Sequence, residues 1–284
     1  MSVEDPTNLV SNSPDIFKPI KIKPLNKARL VIRLTLVMLV VLTIYGFISF
    51  DYKNISLIDG LLATVQNFKV MLTEAHFSHF TFSEALYQVA ITLGLAALTT
   101  LFGAIIALFL GLFAAQNLSS SRIFSNVIKG AVAFIRAVPT VLWVLIFAVA
   151  AGLGSVAAII GMTFHSVGYL IKAYSESFEE LDQGVIEALR GSGAGWWQII
   201  FQAVIPSTIN YLVSWTFLRF EINFGVAVAM GAAAGAGGIG FDMFMASGFY
   251  LDLREVGTIT YFVLFFAILL EIVATRIKVH LNTR

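Results

Sequence analysis

The sequence predicts an all-α integral membrane protein with about six transmembrane helices, and three observations carry that prediction. Hydrophobic residues make up 58% of the 284-residue chain and charged residues only 12%, with a mean hydropathy of +0.87. Soluble globular chains hold roughly 45–50% apolar and 25% charged residues. The apolar residues also gather into runs long enough to cross a hydrocarbon core, which takes about 20 helical residues. Finally, those runs do not alternate polar with apolar groups, as the short strands of a membrane barrel must.

The elements follow in order. Residues 1–29 are polar and carry Pro6, Pro14, Pro19 and Pro24 beside Lys18, Lys21, Lys23, Lys27 and Arg29. They lack the early apolar core and small-residue cleavage site of a secretory signal, so they read as a cytoplasmic tail. Residues 30–50 are the first span. Residues 51–85 are an external segment, in which 56–82 places apolar groups at helical spacing, as a helix resting on the membrane interface does. The rest, 86–284, is a five-helix core with spans at 86–115, 135–151, 156–174, 208–234 and 257–277. The turn through Gly152 and Gly154 is so short that the spans around it must be antiparallel neighbours.

Six spans place Arg33, Arg122, Lys129, Lys172, Arg190, Arg276 and Lys278 on the side of the basic tail. Only Lys53, Lys69 and Arg254 fall on the other. The positive-inside rule therefore puts both termini and the loop 175–206 in the cytoplasm. A net charge of +1 offers nucleic acid no general attraction, and the absence of cysteine excludes disulfides and thiolate chemistry. No phosphate-gripping G-x-x-x-x-G-K-[ST] loop occurs, nor any G-x-S-x-G or H-E-x-x-H pattern. The chain hydrolyses no ATP by itself.

One cytoplasmic stretch interrupts the apolar pattern: "EALRGSGAGWWQIIFQAVIP", residues 187–206. Its charges and tryptophans predict a short amphipathic helix, a bend at 191–195 that the glycines permit, and a second helix. By itself this reads either as a helix lying at the lipid interface, with Trp196 and Trp197 in the aromatic belt, or as a surface for a partner.

The spacing of Glu187-Ala188-Leu189, Gly193 and Ala203-Val204-Ile205-Pro206 resembles a signature of the inner-membrane subunits of ABC importers: E-A-A, three residues, G, nine residues, I-x-L-P. Leu189 and Ala203 depart from it by apolar exchange alone. The resemblance implies the transmembrane domain of a type I (MetI-like) ABC importer, whose loop holds a coupling helix that docks into a groove on the ATP-hydrolysing subunit. It assigns coupling roles to Glu187, Ala188, Gly193 and Pro206. It also implies a homodimer, two separate subunits that use ATP and Mg, an external substrate-binding protein, and no cofactor in this chain. "FIRAVPTVLWVLIF" from Phe134, "RFEIN" from Arg219 and "GAGGIGF" from Gly235 look like the permease of phosphonate ABC importers. "FAAQNL" from Phe113 resembles the end of that family's first core helix. Gln116 and Gly225 stand where basic residues are usual there, and both exchanges remove positive charge. Related cargos, namely phosphite, phosphate esters, methionine or another small solute, stay open. A reading from another class is an ion-coupled secondary transporter, which needs inverted repeats and coupling carboxylates; only Glu221 and Glu271 qualify.

Polar residues inside spans are costly and mark candidate sites. Arg219 and Asn223 lie four apart and share a helical face, whereas Glu221 points about 200° away from Arg219. They either lock the bundle or line a path for an anion. Arg136, beside Pro139, either joins that path or snorkels to the interface. Gly235, Gly237 and Gly240 match the dinucleotide pattern G-x-G-x-x-G, but no strand precedes them. With Gly238 they serve helix packing, or form an external hairpin that helps close the path. His76 and His79 lie three apart with no third ligand cluster near them in sequence, so no metal is expected.

Overall fold

The computed structural model describes residues 27–49 and 56–282; the tail cations Lys18, Lys21 and Lys23, and also Lys53 and Arg284, lie outside them. The chain divides into two units, 1–61 and 62–284. The first contains α1 (Lys27–Ser49), an apolar helix long enough to cross a membrane. The division at Leu61 falls within α2 (Leu57–Thr73).

The second unit is helical throughout. Thr81 starts α3 (Phe82–Ala114) with a capping box: its hydroxyl accepts from the Glu84 amide, and the Glu84 carboxylate accepts from the Thr81 amide at 2.7 Å. Ser121 caps α4 (Arg122–Ala137). Then α5 (Thr140–Ala151) departs at 92° from α4, across Val138 and Pro139. The span expected at 135–151 meets this bend near its start, so its first residues belong to α4 and the rest to α5. Val138 is extended ahead of Pro139, which has no N–H to continue the ladder, and the two helices part there.

Next come α6 (Ser155–Glu179), α7 (Gln183–Gly191) and α8 (Trp196–Ile199), the last running through a π turn (Ile200–Val204) into α9 (Ile205–Ala234). After a hairpin come α10 (Ile239–Phe244), a second π turn (Met245–Phe249) and α11 (Leu253–Asn282). Among the described residues, five helices are long and apolar enough to cross a membrane, or six if the bent pair is one span. The loop expected at 175–206 is shorter than its sequence suggests, because the flanking helices reach in to Glu179 and back to Trp196.

The core is organised around α3, α6 and α9. α3 packs along α6 so closely that a Cβ added at Gly103 would lie 2.9 Å from the Ser166 Cβ. α9 lies against α3, α6 and α11. It links two buried clusters, one around Leu118, Phe178, Ile186, Ile200 and Val204, the other around Phe224, Met230, Ile239 and Ile259. Outward faces are apolar too, for example Leu101, Ile105 and Phe109 on α3 and Phe265 and Ile268 on α11. Such continuous exposed apolar surface fits hydrocarbon, not water.

Candidate coupling surface and transport path

At the C-terminal end of α6, the Asp182 carboxylate accepts from the Gly184 amide at 2.8 Å and starts α7. Gly193 then turns the chain at φ +88°, in the left-handed region where glycine alone is unstrained. The Gln198 side chain takes up the Gly195 amide at 2.7 Å, and α8 begins. Pro206 is exposed in the first turn of α9, not in a loop: the preceding π turn, closed by the Ile205 amide on the Ile200 carbonyl, lets the helix absorb it.

This helix-turn-helix is fastened to the bundle along one side. Ile186 is buried with Ile199, Ile200 and Val204. Arg190 Nη2 donates to the Asn117 carbonyl at 3.2 Å and Trp196 Nε1 to the Leu118 carbonyl at 2.9 Å, while the Trp196 ring stacks on Phe113. The segment 113–118 is held in turn by Glu179, which accepts from the Gln116 amide and from Lys129 Nζ, each at 2.7 Å. Other side chains of the loop are exposed. Glu187 and Ala188 are exposed, and Glu187 enters no ion pair among the described residues. Val185 on α7, and Trp197 and Phe201 after the turn, are 51%, 52% and 66% exposed, with the two rings stacked on each other. Exposed aromatic rings and an exposed carboxylate within one short helix-turn-helix are groups of the kind a docking surface uses.

Inside the bundle, Arg219 is 3% exposed and Asn223 fully buried, on the shared face that their spacing requires. Asn223 Nδ2 donates to Thr100 Oγ1 at 2.8 Å and to Ser166 Oγ at 3.0 Å. Arg219 Nε donates to Ser166 Oγ at 3.0 Å and Nη2 to His165 Nδ1 at 3.1 Å, and its guanidinium lies over the Tyr169 ring. All these partners are neutral groups; Arg219 enters no ion pair among the described residues. Glu221 faces elsewhere, into a groove of about 530 Å³ with Glu176, Glu180, Glu271 and Lys278. Arg136 is exposed at the end of α4 and lines a pocket of about 200 Å³ with Lys129, Lys172, Glu176 and Glu179. Sequence reasoning missed His165 and Tyr169, although an ionisable residue in the span 156–174 was the same signal that singled out Arg219.

At the far end of α9, Gly235 closes the helix at φ +63° and the chain folds back. Gly237 and Gly238 also have positive φ, and the Ile239 amide donates to Thr92 Oγ1 of α3 at 3.0 Å. Gly240 is the tightest point: a Cβ there would lie 1.8 Å from the Val228 carbonyl oxygen. Near this end, the fully buried Glu255 accepts from the Ser78 and His79 amides and from His79 Nδ1 at 2.7 Å. The Ser78 hydroxyl, with the Arg254 and Glu255 amides, holds the Asp252 carboxyl below the usual carboxylate range. His79, Asp252 and Glu255 thus bring ligand-type atoms within 4.8 Å of one another. The two carboxylates come from the start of α11 and the residue just before it, far along the chain, which is why no third ligand was visible beside the histidines. His76 is not part of this group.

The family described as the binding-protein-dependent transport system inner membrane component matches residues 107–284. A phosphate-import permease of Mycolicibacterium smegmatis is 31% identical over 153 residues, 54% of this chain and 29% of that protein. A phosphite transport system permease of Stutzerimonas stutzeri is 29% identical over 189 residues, 66% of this chain and 68% of that one. The chain thus spans under a third of the first relative's length and about two thirds of the second's. Among solved structures, the MetNI methionine ABC transporter in inward-facing conformations superposes with a TM-score of 0.63 at 22% identity, covering 72% of this chain and 99% of that one. That likeness establishes a shared fold.

Proposed function

The chain belongs to the family of binding-protein-dependent transport system inner membrane components, and from that premise we propose that it is the permease subunit of an ABC importer for phosphonate or a related small phosphorus oxyanion. It works in the cytoplasmic membrane of a bacterium as a homodimer, with both termini inside. Two ATP-binding subunits using ATP and Mg dock below, and a substrate-binding protein delivers cargo from outside. The chain itself is a gate with two arrangements, not a catalyst. ATP binding draws the two coupling loops together and biases the gate outward; hydrolysis restores the inward state. Glu187 and Ala188 meet the ATPase, Gly193 supplies the bend, and Pro206 seats the loop on α9. Arg219, Glu221, Asn223 and Arg136 belong to the path, and the hairpin with Gly235, Gly237, Gly238 and Gly240 to its external closure.

The observation that carries this reading is the coupling loop: Arg190 and Trp196 bond it to the carbonyls of 117 and 118, while Glu187, Trp197 and Phe201 stay exposed. The test is purification in mild detergent with whatever accompanies the chain, followed by titration of the accompanying binding protein with phosphonates, phosphite and amino acids. An ATPase and an oxyanion-selective binding protein are expected. Glu187→Lys should then abolish uptake while its exposed position leaves bundle stability within about 0.5 kcal/mol. Uptake at the parent rate would overturn the docking assignment.

A further inference from the structure

Down one face of α6, His165, Tyr169, Lys172 and Glu176 recur at intervals of four, three and four, and so form one stripe from mid-bundle to the coupling end. Arg219 joins it from α9, with its guanidinium 5.1 Å from the centre of the Tyr169 ring. Arginine has no acceptor atoms, so His165 Nδ1 accepts its bond and the imidazole proton stands on Nε2, free to donate. Arg136 reaches the same stripe from α4: its Cγ lies 3.4 Å from where a Cβ at Gly168 would stand.

The charges along this row are unequal. Lys172 is paired with Glu176 at 3.2 Å, and Lys129 with Glu179 at 2.7 Å. Arg219 and Arg136 enter no ion pair among the described residues. A guanidinium in a membrane bundle with only neutral partners is half of an interaction, since buried charge is otherwise paired or neutralised. Exposure rises along the row, from Arg219 at 3%, through half-buried His165 and Tyr169, to exposed Arg136 and Lys172.

We infer that this row is the exit track for a small tetrahedral oxyanion, held at Arg219 and the His165 Nε2–H and then passed to Arg136 on its way to the cytoplasmic end. The inference rests on the permease reading above and specifies the side of the bundle along which cargo leaves. The fork of a guanidinium matches two oxygens of a phosphonate or phosphite, and the Tyr169 face keeps that fork in plane. Glu176, at the cytoplasmic end of the row, also borders the groove of Glu221 and Glu271, and the part of α6 before it carries no carboxylate.

The test uses the intact complex with its ATPase and binding protein, reconstituted in vesicles, with methylphosphonate and phosphite as probes. Arg136→Gln and Arg219→Gln should each lower uptake roughly tenfold or more, through the maximal rate more than through the apparent affinity set by the binding protein. Arg136→Lys should retain most of the rate, and Arg122→Gln, an exposed arginine off the row, should match the parent. Because Arg136 is exposed, its variants carry the test even if Arg219→Gln fails to assemble. Parental uptake by Arg136→Gln would overturn the track while leaving the permease assignment intact. A parent complex that imports methionine but neither probe would overturn the cargo reading and the track together.

Discussion

The two ends of α9 are built on opposite plans. At its start, the coupling loop is tied to the bundle by two long side chains reaching to main-chain carbonyls, Arg190 to Asn117 and Trp196 to Leu118, while Glu187, Trp197 and Phe201 stay exposed. At its finish, everything is spent internally: the hairpin buries Ala236, Ile239 and Gly240, and the fully buried Glu255 gathers three donors from the 78–79 stretch. Further clasps bind that stretch to α11, among them Arg254 to Glu74 at 2.9 Å and Thr258 Oγ1 to the His76 carbonyl at 2.9 Å. The first end leaves charged and aromatic side chains exposed around the turn, whereas the second holds its buried carboxylate and hairpin by internal bonds. The proposed permease, driven from one side, would use this asymmetry, with one end to receive motion and the other to hold a seal.

The largest expected effect lies at the completed end. Gly240→Val places carbon 1.8 Å from the Val228 carbonyl oxygen, a main-chain atom with no rotamer to move. α10 has to leave α9, at a cost of about 3 kcal/mol or more, so the purified complex should be scarce and unfold at a sharply lower apparent midpoint. Ordinary yield and midpoint would mean that the hairpin is not a fixed seal. Second in size is Glu255→Gln. The amide keeps the shape and one acceptor but loses the charge that gathers the donors of Ser78 and His79, which should cost about 2 kcal/mol. Limited proteolysis should then cut first between α2 and α3. Co-purification with the ATPase should stay normal, since the two ends share no partner residues. Loss of the ATPase from this variant would break the contrast between the ends.

How much of this was legible in the sequence differs between the two ends for physical reasons. Span number, the helix-bend-helix of the coupling loop and the common face of Arg219 and Asn223 follow from periods of 3.6 and from glycine, which are local properties. The two internal prolines act in ways that local pattern does not specify. Pro139 follows an extended Val138 and splits a span at 92°, whereas Pro206 sits in the first turn of α9 behind a π turn and interrupts nothing. The clasp of His79 with Glu255 joins residues 176 apart in the chain, and no periodicity reports such a pair. His165 is different: its place inside an apolar run was visible, but only the fold shows that it receives Arg219 and not lipid.

The smallest effect tests the driven end. Trp196→Phe keeps an aromatic ring to stack on Phe113, 5.5 Å away in the parent, and removes only the Nε1–H that donates to the Leu118 carbonyl. The loss should be about 1 kcal/mol, a shift of a few degrees in apparent midpoint. The exposed Glu187, Trp197 and Phe201 are untouched, so the ATPase should still bind. If the loop transmits motion through its tie to the end of α3, ATP hydrolysis should continue while uptake per ATP falls, because docking survives and the linkage behind it slackens. Uptake and hydrolysis falling in proportion would place the transmission elsewhere, in the unbroken helical rise from Trp196 into α9. The contrast between the bonded and the exposed side chains of the loop would then describe packing alone.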